Sequence, residues 1–288
     1  IKLNEYLQTN DENIYAAGDC VSVKNILTDK LVWSPMGSSA NIEGRILAQN
    51  LNGKKIKFKG ALGTAVAKLP ELNVGRTGLT EAAAKEMGFD AVSVITVEDD
   101  KAHYYAGAAN FIIKLIADRK TLKILGVQVF GKGAVDKVVD IVVTAMSMRG
   151  TLHDIEDLDL AYAPPFSTAI HPIVHTVNIL FNKINGALET ITPAEYLEGK
   201  GNGYAVFDSC SVATIEGDTR CFQRPVFLYF RYIVFLYPNQ KIIVNSIVHL
   251  KSCIINQHII CPFNKLFSAN IAIISEYSII FAPTKAKR

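Results

Sequence analysis

Apolar positions change period several times along the chain, and those changes mark its predicted elements. NVGRTGL, AVSVITVE, NFIIKLIAD and KILGVQVFG have the β-branched, partly alternating pattern of strands, and the last two predict a hairpin through Arg119 and Lys120. Between strands the period lengthens. EAAAKEMG predicts a short helix with Thr80 as N-cap and Gly88 as its stop. AVDKVVDIVVTAMSMRG carries apolar residues at three-and-four spacing and ends at Gly150. HPIVHTVNILFNKING predicts an apolar helix with Pro172 in its first turn and Asn185-Gly186 at its end. Further towards the start, IYAAG at 14–18 predicts a short strand running into Gly-Asp, and SSANIEGRILAQNL at 38–51 a helix capped by serine and stopped by Gly53. Beyond a linker, TPAEYLEG and YAVFDS predict a helix and a buried strand, the opening of another small unit. The fold class is α+β.

Composition divides the chain further. Residues 221–288 hold eight Lys and Arg against the single acid Glu276 and no glycine, although tight turns lean on glycine. This basic, apolar tail reads as sequence not selected to fold, non-native or disordered. Its charges are scattered, which argues against a nucleic-acid surface, and no specific membrane partner is expected. No uncharged apolar run reaches the roughly 18 to 20 residues that span a bilayer. Five cysteines without a C-x-x-C pair fit a reducing, cytoplasmic setting. The chain opens without Met and in mid-element, which reads as the continuation of something longer.

Candidate chemistry sits in three places. Thr9 to Asp19, T-x-x-x-x-I-Y-A-A-G-D, delivers small residues and an acid at a turn, where a cofactor can approach the backbone and a carboxylate can accept hydroxyl hydrogen bonds. Taken alone, a Gly-Asp turn is usually just a turn. Tyr105 in HYYAG and Tyr162 in YAPPFS offer phenols that are proton donors at neutral pH, though tyrosine also suits half-wet interfaces. Tyr104 rivals Tyr105. His171 and His175 lie four apart on a predicted helix, but no H-E-x-x-H acid or third ligand accompanies them, so no metal site is expected. Cys20 reads as a packed thiol. No G-x-G-x-x-G occurs, so the chain has no phosphate-cradling dinucleotide turn.

The order and spacing of these segments resemble the FAD-dependent pyridine nucleotide-disulfide oxidoreductases over residues 1 to about 186. TNDENIYAAGD resembles the family's last flavin-binding motif. WSPMGSSANIEGRILAQNLNG resembles the helix aimed at the flavin pyrimidine ring, and AGAANFIIKLIADRKTLKILGVQVFG the central hairpin of the dimerisation domain. LAYAPPFSTAIHP resembles the interface loop. The nearest branch is that of coenzyme A-disulfide reductase and NADH oxidase. The resemblance implies a remnant of the FAD-binding domain at 1–60, a dimerisation domain with an antiparallel sheet and helices at 62–186, and the truncated start of a rhodanese-like domain at 187–220. Asp208 stands at that last domain's strand end and Cys210 where an arginine is usual. It further implies FAD contacts at Gly18, Asp19, Met36, Gly37, Ser38 and Ala40, and a homodimer in which Tyr105 and Tyr162 serve the partner's redox cysteine. Ala106 replaces a common proline and His171 a common aspartate. In the parent enzyme, NAD(P)H would reduce a small disulfide such as coenzyme A disulfide, or oxygen or peroxide, and this chain alone would be inactive. The alternative is a non-catalytic dimerisation fragment from a disrupted reading frame.

Overall fold

A computed structural model describes residues 1–192 and 195–200, and beyond them the backbone of five short strands. The chain divides into two compact units, one holding residues 1–93 and 99–177, the other residues 94–98 and 178–288.

The first unit begins with a small ribbon, β1 (Ser22–Lys24) paired antiparallel with β2 (Leu31–Trp33), followed by helix α1 (Gly37–Leu51). Val21, Val23 and Ala61 form a local core with Leu3, Ala16, Val32 and Phe58. Asn50, near the end of α1, donates to Tyr6 O at 3.1 Å and Ile56 O at 2.9 Å and accepts from Ile56 N at 2.7 Å, tying both flanking segments to the helix. The IYAAG strand is not formed. Tyr15 makes one isolated bridge to Gln8, because the chain doubles back too soon for a longer ladder.

The main sheet has the order β3-β4-β7-β6-β5, from β3 (Ala65–Lys68), β4 (Asn73–Gly78), β5 (Ala91–Asp99), β6 (Asn110–Asp118) and β7 (Ile124–Gly131). Phe111, Ile113 and Leu115 of β6 and Val127 and Val129 of β7 are buried, as expected where alternate side chains face a core. The β6–β7 connection spans residues 119–123, longer than the sequence suggests, with Leu122 in the left-handed region at φ 59°. Asp118 organises it by accepting from Thr121 N and Oγ1, each at 2.8 Å. A register shift between Ile116 and Ala117 accommodates the turn.

Helix α2 (Glu81–Glu86) has the predicted cap, Thr80 Oγ1 accepting from Ala83 N at 3.2 Å. Helix α3 (Val135–Ser147) buries Val135, Val138, Val139, Val142 and Met146 against β4 and β7. Its stop is Arg149, at φ 61°, with Gly150 N bonding Ala145 O just after it. A short α4 (His153–Glu156) follows, and α5 (Pro172–Ile184) begins in this unit with Ile173, Thr176 and Val177 buried.

Glu81 links helix to sheet. Its carboxylate accepts from Lys85 Nζ at 2.6 Å, Lys114 Nζ at 2.8 Å and Ser93 Oγ at 2.7 Å. Burial raises its pKa, but the hydrogen bonds from Lys114, Lys85 and Ser93 outweigh that and bring it to about 2. With the folded value below the unfolded one, ionised Glu81 adds stability above the ordinary value of 4.5, and that stability is lost as pH falls towards about 2. Glu81→Gln is expected to destabilise the chain by about 1–2 kcal/mol at neutral pH, with the deficit shrinking as the sample is acidified. Melting curves across that range check it, and a deficit that is constant with pH would refute the assignment.

In the second unit a π-helical turn, Tyr196–Lys200, lies in the segment read as a helix, and β8 (Ala205–Asp208) is the predicted strand. The backbones of β9 (Ile233–Leu236) and β10 (Ile242–Asn245) extend β8 into an antiparallel sheet, and β11 (Ala272–Ser275) pairs with β12 (Ser278–Phe281). Apart from these strands, the reading of residues 221–288 lies outside the described residues, as does Cys210.

Candidate functional site

The sequence-marked residues fall at two places in the first unit. At the first, the chain turns through Gly18 at φ 84°, a conformation that glycine adopts without steric cost. Val21 N closes the turn by bonding Gly18 O at 3.1 Å, and Trp33 Nε1 donates to Asp19 O at 2.7 Å. The Asp19 side chain is exposed.

Helix α1 starts against this turn. A Cβ at Gly18 would lie 3.9 Å from Cβ of Ala40, an ordinary contact distance. The helix begins at Gly37, one residue earlier than expected, with Met36 as N-cap and no side chain capping it. Ser38 is therefore inside the first turn and is not the cap; Ser39 Oγ lies 3.4 Å from Ser34 Oγ. With no acid in the first turn, the N–H groups of Gly37 and its neighbours keep the positive end of the helix open to an electron-rich group. Cys20, read as a packed thiol, is instead exposed, its Sγ 3.5 Å from Ala17 O.

Sequence reasoning missed Glu43. It is 1% exposed, and Oε2 accepts from Gly18 N at 2.7 Å. Burial raises its pKa, the bond from Gly18 lowers it, and the charge of Asp19 raises it again, for a net upward shift. It stands three positions after Ala40, which places both on the face of α1 turned to Gly18. That spacing was the available signal.

The second place joins two loops. Tyr105 lies in a compact turn in which its N–H bonds Ala102 O at 2.8 Å and Ala108 N bonds Tyr105 O at 3.1 Å. Tyr162 opens the turn in which Phe166 N bonds Ala163 O at 2.8 Å. Ala102 N reaches Pro164 O at 3.3 Å, so one backbone bond bridges the loops. Tyr105 is 42% exposed and Tyr162 48%, which leaves both phenols open to a partner surface. Tyr104 is more exposed still and stacks edge-on with His103.

Just beyond Tyr162 a small pocket is lined by Leu160, Ala161, Ser167, His171 and Val174. His171 Nδ1 accepts from Ile173 N at 3.3 Å. Burial, helped by the charge of Lys137, lowers its pKa to about 4, so the imidazole is neutral at ordinary pH. Among the described residues no group of three His, Cys, Asp or Glu is placed to hold a metal ion, and no helix is long and apolar enough to cross a membrane.

Residues 64–173 match the family model for the pyridine nucleotide-disulphide oxidoreductase dimerisation domain. This stretch is similar to that dimerisation domain. It contains both tyrosine loops, the main sheet and α3. Among curated relatives, the NAD(P)H sulfur oxidoreductase (CoA-dependent) of Pyrococcus furiosus is 37% identical over 177 residues, 62% of this chain and 40% of the relative. The coenzyme A disulfide reductase of Staphylococcus epidermidis is 30% identical over 173 residues, 60% of this chain and 38% of the relative. Among solved structures, an NAD-dependent persulfide reductase from A. fulgidus superimposes with a TM-score of 0.65 at 38% identity, covering 66% of this chain and 35% of that one. The chain thus spans about 40% of the length of the curated relatives it matches, and the fold class read from the sequence, with the dimerisation domain inside it, is borne out.

Proposed function

We propose that this chain is part of a flavin-dependent oxidoreductase in which NAD(P)H reduces a small disulfide or persulfide of the coenzyme A type. The observation that carries the reading is the pairing of a dimerisation domain with an uncapped helix N-terminus set against a Gly-Asp turn, in a chain whose relatives are named for CoA-dependent sulfur and disulfide reduction. In this reading residues 1–60 belong to the FAD-binding domain, 62–186 make the homodimer, and 187–220 open a rhodanese-like domain.

The residues present fit one end of a flavin. Open N–H groups at Gly37 and Ser38 would face an electron-rich ring edge, Ala40, whose N–H bonds Met36 O at 2.9 Å, would line the approach beside Gly18, Met36 sets the extended entry to the helix, and Asp19 would accept from hydroxyls. Flavin, when bound, supplies the two-electron carrier between nicotinamide and sulfur. Overall, hydride and one solvent proton convert the disulfide to two thiols. Tyr105 and Tyr162 donate a phenolic proton to the thiolate that leaves as the S–S bond breaks, and regain it from water.

Because the chain has no G-x-G-x-x-G to cradle a pyrophosphate, flavin contacts in it are confined to that one end. Titration of the 288-residue chain with FAD is expected to give weak, saturable binding that Asp19→Ala reduces by several-fold. Binding indifferent to Asp19→Ala would overturn the assignment, and stoichiometric copurified FAD would overturn the claim that a phosphate cradle is needed.

Self-association is the second expected result. The domain match, the Pro-fixed YAPPFS loop and the exposed Tyr105, Tyr162 and Phe166 support a dimer of residues 62–186. Analytical ultracentrifugation at tens of micromolar should give twice the monomer mass. A monomer at the highest concentration reached would exclude it.

A further inference from the structure

We propose that Glu43 is a positioning residue: by accepting the Gly18 N–H, its buried carboxylate sets the turn that presents Asp19. The proposal deepens the flavin reading of this turn, and its bearing on catalysis rests on that reading.

Three hydrogen bonds meet the turn at Gly18 and Asp19. Its own chain supplies Val21 N to Gly18 O at 3.1 Å, the β1–β2 ribbon supplies Trp33 Nε1 to Asp19 O at 2.7 Å, and α1 supplies Glu43 Oε2 to Gly18 N at 2.7 Å. The first two anchor carbonyls, and only the third takes a donor. Gly18 is at φ 84°, and its N–H is turned towards α1 at the level of Ala40 and Glu43. Without Glu43 that N–H would face the helix with its hydrogen bond unmade, a cost that favours other turn conformations.

A carboxylate is an expensive choice here. Glu43 is 1% exposed and no salt bridge to it is found among the described residues. Of the titratable groups on the turn, the ribbon and α1, Asp19 is the one whose charge acts on it, and that charge is of the same sign. Packing alone would be met by an apolar side chain at no electrostatic cost. What the carboxylate adds is acceptor strength, because a bond to a charged oxygen is roughly twice as strong as a neutral one. The two consequences have opposite signs. Burial and Asp19 raise the folded pKa, so global stability is lower when Glu43 is ionised, whereas the local bond to Gly18 is stronger when it is ionised.

The test is amide exchange at Gly18, resolved by NMR in the 288-residue chain without flavin, for wild type, Glu43→Gln and Glu43→Ala between pH 4 and 8. Amides of α1 serve as the folding reference. The wild-type protection factor should fall as Glu43 protonates. Glu43→Gln, whose amide oxygen still accepts, should keep protection and lose the pH dependence, and Glu43→Ala should lose protection by roughly tenfold to a hundredfold. Unchanged Gly18 protection in Glu43→Ala with α1 intact would overturn the proposal. Should Glu43→Ala unfold the helix, the comparison of wild type with Glu43→Gln decides: protection equally flat with pH in both would overturn it. A chain with the expected exchange pattern that binds no FAD keeps Glu43 in this role and overturns the flavin reading instead.

Discussion

In the oxidoreductase proposed for the longer protein, replacing Tyr162 by Phe is expected to lower turnover in NAD(P)H-dependent disulfide reduction by roughly 10² to 10⁴-fold while leaving the melting temperature almost unchanged. The exchange removes one hydroxyl and keeps the ring. Tyr162 is 48% exposed, so its ring contributes little to the core, and the turn that carries it is fixed by Pro164, Pro165 and the bonds onto Ala163 O. A phenol held in place before substrate arrives spends little entropy in becoming a proton donor. Tyr105→Phe should give a smaller loss of the same kind. Because Ala102 N bonds Pro164 O across the two loops, the double change should fall short of the product of the single ones. A normal turnover number with a depressed melting point would make Tyr162 an interface residue and nothing more.

The largest expected stability effect lies away from both sites. Gly78 ends β4 opposite Gly126 of β7, and the two glycines let the strands close on each other where the sheet turns into α2. Gly78 has φ 73°, and a Cβ there would lie 2.2 Å from Leu125 O and 2.8 Å from Gly126 Cα. Neither neighbour is a flexible tip that can move aside. Gly78→Ala therefore combines left-handed strain with a backbone clash, for an expected cost of about 3–5 kcal/mol. Leu79 N bonds Leu125 O at 2.8 Å at this point, so the damage should reach the cluster of Leu79, Ala84, Ile116 and Leu125. Urea denaturation of residues 62–186 measures it, and a midpoint within error of wild type would show that the strand end relaxes freely.

What could be read from the sequence was what local period and turn chemistry encode. The β6–β7 hairpin, α3 and Thr80's cap follow from alternation, three-and-four spacing and a hydroxyl before a helix, and each is present. The misses have local causes. β3 carries mostly exposed residues at a sheet edge and so lacks an alternating signature, and β1 and β2 are three residues each, too short to show a period. Ser38 looked like a cap because a serine before an apolar run is the usual signal, but the small Gly37 let the helix start a residue sooner. At the candidate site, motif order is what singled out Tyr105, Tyr162, Gly18 and Asp19. Glu43 was not, because an acid amid polar residues defaults to solvent, and only the fold supplies the inward N–H that holds it.

The strand order also ranks the sheet's pairings by when they can form. Residues 119–123 join β6 to β7, so that ladder closes a short loop and costs little chain entropy. The β4–β7 ladder must instead close the whole stretch from residue 79 to residue 123, with α2, β5 and β6 inside it. On entropic grounds the hairpin is expected to form first and β4 to join it late. The opposed glycines at Gly78 and Gly126 would then sit at the latch of the slower step, where the chain finds its register.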